Sequence, residues 1–148
     1  MTRALLLSIK PRYARAILEG RKTVEVRRKF PVVPAGTTVV LYSSSPEKAI
    51  IGTVRLKRTM RVDPSHVWTL HGSDIDIDEG DLDNYLDGAN ESTLLEVEAP
   101  DVWEQPVSLN SLREILGVEP PQSFRYLKSE QVLRARQLGA SASEINAR

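Results

Sequence analysis

Three charged side chains lie close together near residue 25, in the pattern Gly20-x-Lys22-x-x-Glu25-x-Arg27. Lysine binds phosphate as a compact point charge, whereas arginine presents a planar fork of N–H groups to it. A carboxylate between two such cations serves either as a general base or as the partner that holds the arginine in position. The pattern therefore predicts a pocket for a phosphate or a polar base.

A short helix and a strand must position these side chains. Residues 4–9 form an apolar run with the length of a buried strand. Pro11 suits a first helical turn and Gly20 supplies a left-handed stop, so a helix is predicted between them. Beyond Gly20, apolar and polar residues alternate. Glu25 and Arg27 are therefore predicted to be neighbours on one face of a strand.

The rest of the chain predicts further short strands and helices. Strands are expected at residues 38–42, 49–56 and 93–99, an extended segment at 120–126, and helices near 64–71, 79–86, 111–116 and 130–138. Ser111-x-x-Glu114 has the pattern of a capping box, which places the start of one helix at Ser111. Five short strands interrupted by short helices predict a mixed α+β domain with a small closed or half-closed sheet.

Charge is divided unevenly along the chain. Residues 1–61 contain fourteen Lys and Arg against three Asp and Glu, whereas residues 62–148 contain six against seventeen. The net charges of the two parts are therefore +11 and −11. Such asymmetry indicates either a basic surface for nucleic acid or another polyanion, or two halves that fold against each other and neutralise their charges.

Length and composition favour one domain without cysteine. A chain of 148 residues can bury a core without cross-links, and we expect a single domain over residues 1–139 and a polar tail over 140–148. The lack of cysteine excludes a disulfide, a thiolate nucleophile and a thiolate metal site. No apolar run approaches the roughly 18 residues that span a bilayer. We expect a soluble, cytoplasmic protein that does not bind membranes.

Several motifs together resemble the ASCH domain, a branch of the PUA-like β-barrel superfamily. The resemblance covers about residues 4–127 and includes the Gly20-x-Lys22-x-x-Glu25-x-Arg27 pattern. The other matching pieces are Ser8-Ile-Lys10-Pro11, Leu41-Tyr42-Ser43-Ser44-Ser45-Pro46 before Ile51-Gly52, the helix of Trp68, and Tyr85-Leu86-Asp87-Gly88. The resemblance implies a small barrel of about five to six strands with short helices beside a cleft. It also implies a role in binding RNA or modified nucleosides, sometimes linked to transcription or translation.

On this basis we expect RNA or a nucleotide to bind in a basic cleft. Lys22 and Arg27 match the family's lysine and arginine and would hold phosphate. Glu25 matches its acidic position and would orient Arg27 or accept a hydrogen bond from a base. The residues predicted for the nucleic-acid site are Lys10, Lys22, Glu25, Arg27, Tyr42, Ser43, Ser44, Ser45, Trp68 and Tyr85.

Two other classes of function remain open. Some proteins that resemble this pattern are hydrolases, either ribonucleases or amidohydrolases that remove an acyl group from a modified cytidine. In a hydrolase, Lys22 and Glu25 would activate water and Arg27 would stabilise the developing negative charge. The small amidohydrolases have threonine where this chain has Glu25, which disfavours that activity. Alternatively, the acidic segment 74–83 binds a basic protein partner.

The acidic segment 74–83 also raises the question of a metal site. A calcium loop of the EF-hand type needs glycine at its sixth position and glutamate at its twelfth, where this chain has Glu79 and Tyr85. His66 and His71 have the wrong spacing for one helical face, and no cysteine completes a zinc site. The glycine signatures of nucleotide cofactor sites are missing as well. We therefore expect neither a metal nor a cofactor.

Overall fold

A computed structural model of the chain describes residues 3–140. One six-stranded sheet, curled into a half-barrel, has the strand order β2-β5-β4-β3-β1-β6. Its strands are β1 (Ala4–Ile9), β2 (Val24–Arg27), β3 (Thr38–Ser43), β4 (Ala49–Val62), β5 (Ser92–Ser108) and β6 (Phe124–Leu127). Strands β1 and β3 pair in parallel, and the other neighbours pair antiparallel. The predicted α+β class with a half-closed sheet is confirmed.

Short helices connect the strands. They are α1 (Pro11–Leu18), α2 (Val67–His71) after a 3₁₀ turn at Pro64–His66, α3 (Glu79–Leu86), α4 (Leu109–Glu114) and α5 (Ser129–Gly139). The predicted capping box at Ser111 is wrong. Ser108 caps α4 instead, because its hydroxyl oxygen accepts a hydrogen bond from the backbone N–H of Ser111 at 3.2 Å. The helix therefore begins before Ser111.

Strands β4 and β5 extend well beyond the predicted ranges 49–56 and 93–99. The pairing register between β4 and β5 shifts at several points, which interrupts the alternation of apolar and polar residues along each strand. That alternation is the signal from which strands are predicted. Cross-strand ion pairs accompany the extra length: Arg55 lies opposite Glu98 with a 3.0 Å contact, and Arg58 contacts Glu96 at 2.6 Å. Since these arginines belong to the basic part of the chain and the glutamates to the acidic part, the two parts neutralise each other along this ribbon.

Close packing of α1 on the sheet depends on Gly52 of β4. A Cβ atom at this position would lie 2.5 Å from the carbonyl oxygen of Asp101 and 2.9 Å from Cδ2 of Leu18. The buried side chains of Ala14 and Ile17 on α1 join the core cluster of the sheet at this contact. The N-terminal turn of α1 is thereby held beside the end of β1, where the candidate site lies.

Within residues 3–140, no helix combines the length and hydropathy required to cross a membrane. The predicted tail over 140–148 lies, except for Ala140, outside the described residues, so the proposed division at residue 139 stays a prediction.

Candidate functional site

An open cleft of about 830 Å³, here called the first cleft, lies where the C-terminal end of β1 meets α1, β2 and α3. Helix α1 contributes Arg12 and Tyr13, β2 contributes Glu25 and Arg27, and α3 contributes Tyr85. The remaining lining residues are Ser8, Ile9, Lys10, Val26, Ser44, Ile77, Asp81, Asn84 and Gln122. The cleft therefore combines aromatic rings with charged groups of both signs.

Glu25 and Arg27 form the floor of the first cleft, and Lys22 lies beneath them, so that the three charged side chains follow one another as a chain. Lys22 is fully buried, and the side chains of Glu25 and Arg27 are only 8% and 12% exposed. The Nζ atom of Lys22 lies 3.3 Å from Oε1 of Glu25, and Nε of Arg27 donates to Oε2 of Glu25 at 2.8 Å. The predicted contact between Glu25 and Arg27 is present. The carboxylate thus lies between two cations.

Further hydrogen bonds fix both ends of this Lys22–Glu25–Arg27 chain. The Nη2 atom of Arg27 donates to the carbonyl oxygen of Ser8 at 2.9 Å, while Nη1 has only a 3.5 Å contact with Oγ of Ser123. At the other end, Lys22 Nζ donates to the carbonyl oxygen of Ile75. Glu25 and the carbonyl oxygen of Ser8 therefore hold the guanidinium of Arg27 in position, and Nη1 is the nitrogen with the weakest contact.

The backbone after α1 explains why Lys22 is buried. Gly20, at a φ of 81°, reverses the chain, and the Lys22 N–H donates to the carbonyl oxygen of Ala16 at 3.1 Å. The N–H of Thr23 then donates to the carbonyl oxygen of Asp74 at 2.9 Å, which attaches the acidic segment to the start of β2. Lys22 is enclosed between α1 and this segment.

Burial lowers the pKa of Lys22, because desolvation disfavours the charged ammonium. Attraction to the Glu25 carboxylate opposes this effect. The ring of Tyr13 lies 4.9 Å from Nζ and provides a further favourable contact for the cation. Lys22 is thus a buried cation whose charged state depends on Glu25.

An ion pair crosses the rim of the first cleft. Arg12 of α1 lies 3.5 Å from Asp81 of α3, and both side chains are exposed. Arg12 also donates to the Tyr13 hydroxyl oxygen at 2.7 Å. The lining therefore contains the three cations Lys10, Arg12 and Arg27 but also two carboxylates, so the first cleft is only weakly basic.

Half of the ten predicted site residues line the first cleft. Those five are Lys10, Glu25, Arg27, Ser44 and Tyr85. Lys22 is not part of the lining, because it lies beneath Glu25. Direct contact between its ammonium and a phosphate, as the sequence predicted, is blocked by this burial.

The other four predicted residues lie away from the first cleft. Tyr42 is buried in the core on the opposite side of the sheet, since neighbouring residues of β3 face opposite ways. Ser43 is fully buried, and its Oγ has no hydrogen-bond partner within residues 3–140. Ser45 is exposed but does not line the cleft. Trp68 packs against the end of its own helix at Gly72 instead of forming a wall.

Sequence reasoning missed several residues of the first cleft. Tyr13 fits the apolar face of α1, so its position at the cleft could not be distinguished from a core position. Arg12, Asp81 and Asn84 carry no local signal, because only the packing of α3 beside α1 brings them together. Their recruitment depends on contacts between residues far apart in sequence.

The acidic segment 74–83 is anchored to the rest of the protein at Ile75 and Asp76. Ile75 is fully buried, and Asp76 lies 3.0 Å from Arg21. Across the part of the chain that the structure describes, no three His, Asp or Glu side chains are gathered in a way that could hold a metal ion. Binding of a basic protein partner by this segment stays a prediction.

The sequence matches a known domain family. Residues 7–107 match the sequence model of the ASCH domain. Because this match covers more than half of the chain, the protein belongs to the ASCH domain family. The resemblance predicted from the motifs is confirmed.

Relatives from Zymomonas mobilis support this assignment. An "ASCH domain-containing ribonuclease" of that organism is 31% identical over 129 residues, which is 85% of either chain. The crystal structure of ASCH from Zymomonas mobilis matches with a TM-score of 0.83 and 27% identity, covering 88% of this chain and 92% of that one. Protein Atu2648 from Agrobacterium tumefaciens shares the fold. Its crystal structure matches with a TM-score of 0.61 and 15% identity, covering 95% of each chain.

Proposed function

We propose that this protein binds RNA, or a nucleotide unit of it, in the first cleft. Arg27 would hold a backbone phosphate on the floor of the cleft, and Lys10 and Arg12 would add positive charge at the rim. The Tyr13 and Tyr85 rings would contact bases, and one such stack contributes roughly 1–3 kcal/mol. An RNA ligand would fit the cytoplasmic location that the sequence predicts.

The fixed position of Arg27 is the observation that carries this proposal. Glu25 and the carbonyl oxygen of Ser8 hold the guanidinium at 2.8 and 2.9 Å, so little side-chain freedom is left to lose when an anion binds. A guanidinium with one nitrogen still weakly engaged can donate charge-assisted hydrogen bonds to a phosphate. The site is therefore preorganised for an oxyanion.

The charges around Arg27 also suit an anion at the first cleft. Lys22 and Arg27 share the carboxylate of Glu25. Asp76 attracts Lys22 as well, and Arg21 pairs with both Asp76 and Glu19, so the three cations and three carboxylates of this cluster balance. Arg27 is the cation of the cluster that lines the first cleft, where a bound phosphate would pair with it.

In this proposal Lys22 acts through Glu25. Its Nζ holds Oε1 of the carboxylate while Arg27 holds Oε2, so the lysine fixes the orientation in which Glu25 presents Arg27 to the cleft. Lys22 is thus a positioning residue, and Arg27 is the residue that would touch phosphate.

RNA cleavage is the second candidate function. The observation that favours it is the 31% identity, over 85% of both chains, to a protein named as a ribonuclease. Glu25 would then act as the acid–base group and Arg27 would stabilise the charge that develops on the phosphate. Removal of an acyl group from a modified cytidine is a further hydrolytic alternative. Binding without cleavage would fit a regulatory role in transcription or translation.

One experiment separates these functions. The purified protein is mixed with labelled single-stranded RNA, and binding is measured by fluorescence anisotropy. Mass spectrometry then resolves any cleavage products. N-acylated cytidine is tested in the same way as a separate substrate. Arg27→Gln should weaken binding and lower the salt dependence, whereas the adjacent and exposed Arg28→Gln is the matched control. Equal affinity of both variants and the wild type would contradict the proposed site.

A further inference from the structure

A second cleft of about 550 Å³ lies at the opposite end of β1. The start of β1, the loop at residues 33–38, the end of β6 and α5 surround it. Its charged lining residues are Arg3 and Arg136, and no Asp or Glu side chain of the described residues lines it. The first cleft, by contrast, contains Glu25 and Asp81 beside its cations.

The guanidinium of Arg3 lies in a position suited to binding an anion. Its guanidinium carbon lies 3.9 Å from the centroid of the Tyr126 ring, which places the cation over the aromatic ring. No carboxylate within residues 3–140 forms an ion pair with Arg3. Arg136 contacts Asp101 at 3.4 Å, but both side chains are exposed, and such surface pairs are weak.

We propose that the second cleft binds a phosphate of the same RNA chain that occupies the first cleft, through Arg3 and Arg136. This inference rests on the proposed function and extends it to a longer single-stranded substrate. Two arginines that line the same cleft, one of them over an aromatic ring, suit a backbone phosphate with a neighbouring base. A mononucleotide would gain nothing from this second position.

The edge of the sheet connects the two clefts. Strand β6 is the last strand at one edge of the sheet and runs antiparallel to β1. Gln122, just before β6, lines the first cleft, and Tyr126, within β6, lines the second cleft. With a rise of about 3.3 Å per residue, β1 and its flanking residues separate the clefts by roughly 20 Å. A fully stacked strand, at roughly 3.4 Å per nucleotide, covers that distance with about six nucleotides, and a more extended strand needs fewer.

The test compares a dinucleotide, which can occupy one cleft at most, with a 12-nucleotide single-stranded RNA. Affinities of the full-length protein are measured at several salt concentrations, and gel analysis afterwards confirms that the RNA is intact. The variant is Arg3→Gln/Arg136→Gln. Arg134→Gln is the matched control, because Arg134 is an exposed arginine on the same helix that does not line the second cleft.

We expect the double variant to bind the 12-mer about fivefold more weakly or worse, with a salt slope lower by roughly 0.7 for each phosphate that the protein no longer binds. Its dinucleotide affinity and its melting temperature should equal those of the wild type. Unchanged 12-mer binding and salt slope, or an equal decrease in affinity for both RNAs, would overturn the second site. If neither RNA binds the wild type, the proposed function itself fails, which is a separate result.

Discussion

Glu25 and Arg27 form a hydrogen-bonded pair on the floor of the first cleft, with Nε of Arg27 2.8 Å from Oε2 of Glu25. Both residues belong to β2 and face the same side of the sheet, because side chains two positions apart in a strand point the same way. Lys22 approaches the other carboxylate oxygen from below. Glu25 is therefore the one group that connects the buried cation to the arginine at the cleft.

Replacing Glu25 should destabilise the fold strongly. Glu25→Gln removes the negative charge that Lys22 and Arg27 share, and breaking a buried ion pair costs roughly 3–5 kcal/mol. The free energy of unfolding from urea titrations measures this effect. Glu98→Gln is the control, because its pair with Arg55 is exposed and worth about 0–1 kcal/mol. Similar destabilisation in both variants would mean that Glu25 is no more important for stability than an exposed glutamate.

Lys22 should give the stability a distinct pH dependence. Burial lowers the pKa of Lys22 in the folded protein below the value it has in the unfolded chain. At a pH between these two pKa values, Lys22 is protonated in the unfolded chain and has lost its proton in the native protein. Stability therefore rises with pH through this window, which lies below the ordinary lysine pKa. Lys22→Met should lack this rise when unfolding is measured over the pH range below the ordinary lysine pKa of about 10.4.

Lys57→Met provides the comparison for Lys22→Met, since Lys57 is an exposed lysine on β4. The pH dependence of its unfolding free energy is measured beside those of the wild type and Lys22→Met. A Lys22→Met curve parallel to both would show that Lys22 does not titrate differently in the folded protein.

Removing the carboxylate from the rim should strengthen RNA binding. Asp81 pairs with Arg12 at 3.5 Å and so competes with phosphate for that cation. Asp81→Asn should tighten the binding of a 12-nucleotide RNA by about two- to fivefold at low salt, since an exposed charge contributes roughly 0.5–1 kcal/mol. Asp83→Asn, on the same helix but outside the cleft lining, should change little. Equal affinities of the two variants would exclude Asp81 as a competitor.

The first third of the fold was predictable because its signals are local. Pro11 and Gly20 limit α1, and alternation places Glu25 beside Arg27. The burial of Lys22 was not predictable, since it depends on the carbonyl oxygen of Ile75, 53 residues away. Arg12 and Asp81 are likewise brought together only by tertiary packing.

The position of some predicted site residues away from the first cleft has a physical cause as well. Tyr42 and Ser43 adjoin the lining residue Ser44 in sequence, yet both are buried, because core residues cover both faces of β3. A motif identifies the segment near a site, but the strand period and the packing decide which of its side chains reach the ligand.

Calcium and magnesium should leave the stability unchanged. Asp76 of the acidic segment pairs with Arg21, and within residues 3–140 no three His, Asp or Glu side chains are gathered closely enough to hold an ion. Thermal melts with chelator and with millimolar calcium or magnesium should coincide. A site with a dissociation constant near 10 μM would stabilise the fold by roughly 2.7 kcal/mol at a hundredfold excess of the ion. An upward shift abolished by Asp76→Asn and Asp78→Asn would contradict the prediction.

The position of α1 beside the first cleft should depend on the missing side chain at Gly52. A methyl group there would lie 2.5 Å from the carbonyl oxygen of Asp101, a backbone atom that cannot move without distorting the pairing of β4 and β5. Gly52→Ala should therefore lower the free energy of unfolding by about 1–3 kcal/mol. It should also weaken RNA binding, since Leu18 would be pushed away and α1 carries Arg12 and Tyr13 to the cleft.

Gly80→Ala is the matched control for that change. Gly80 lies in α3, and a Cβ atom there would meet no heavy atom within 4 Å. Alanine also favours a helix over glycine, so this variant should be more stable than the wild type by up to about 1 kcal/mol. Urea titrations of the two variants should thus deviate from the wild type in opposite directions. If Gly52→Ala unfolds at the same urea concentration as the wild type, the position of α1 at the rim of the first cleft does not depend on its close packing on β4.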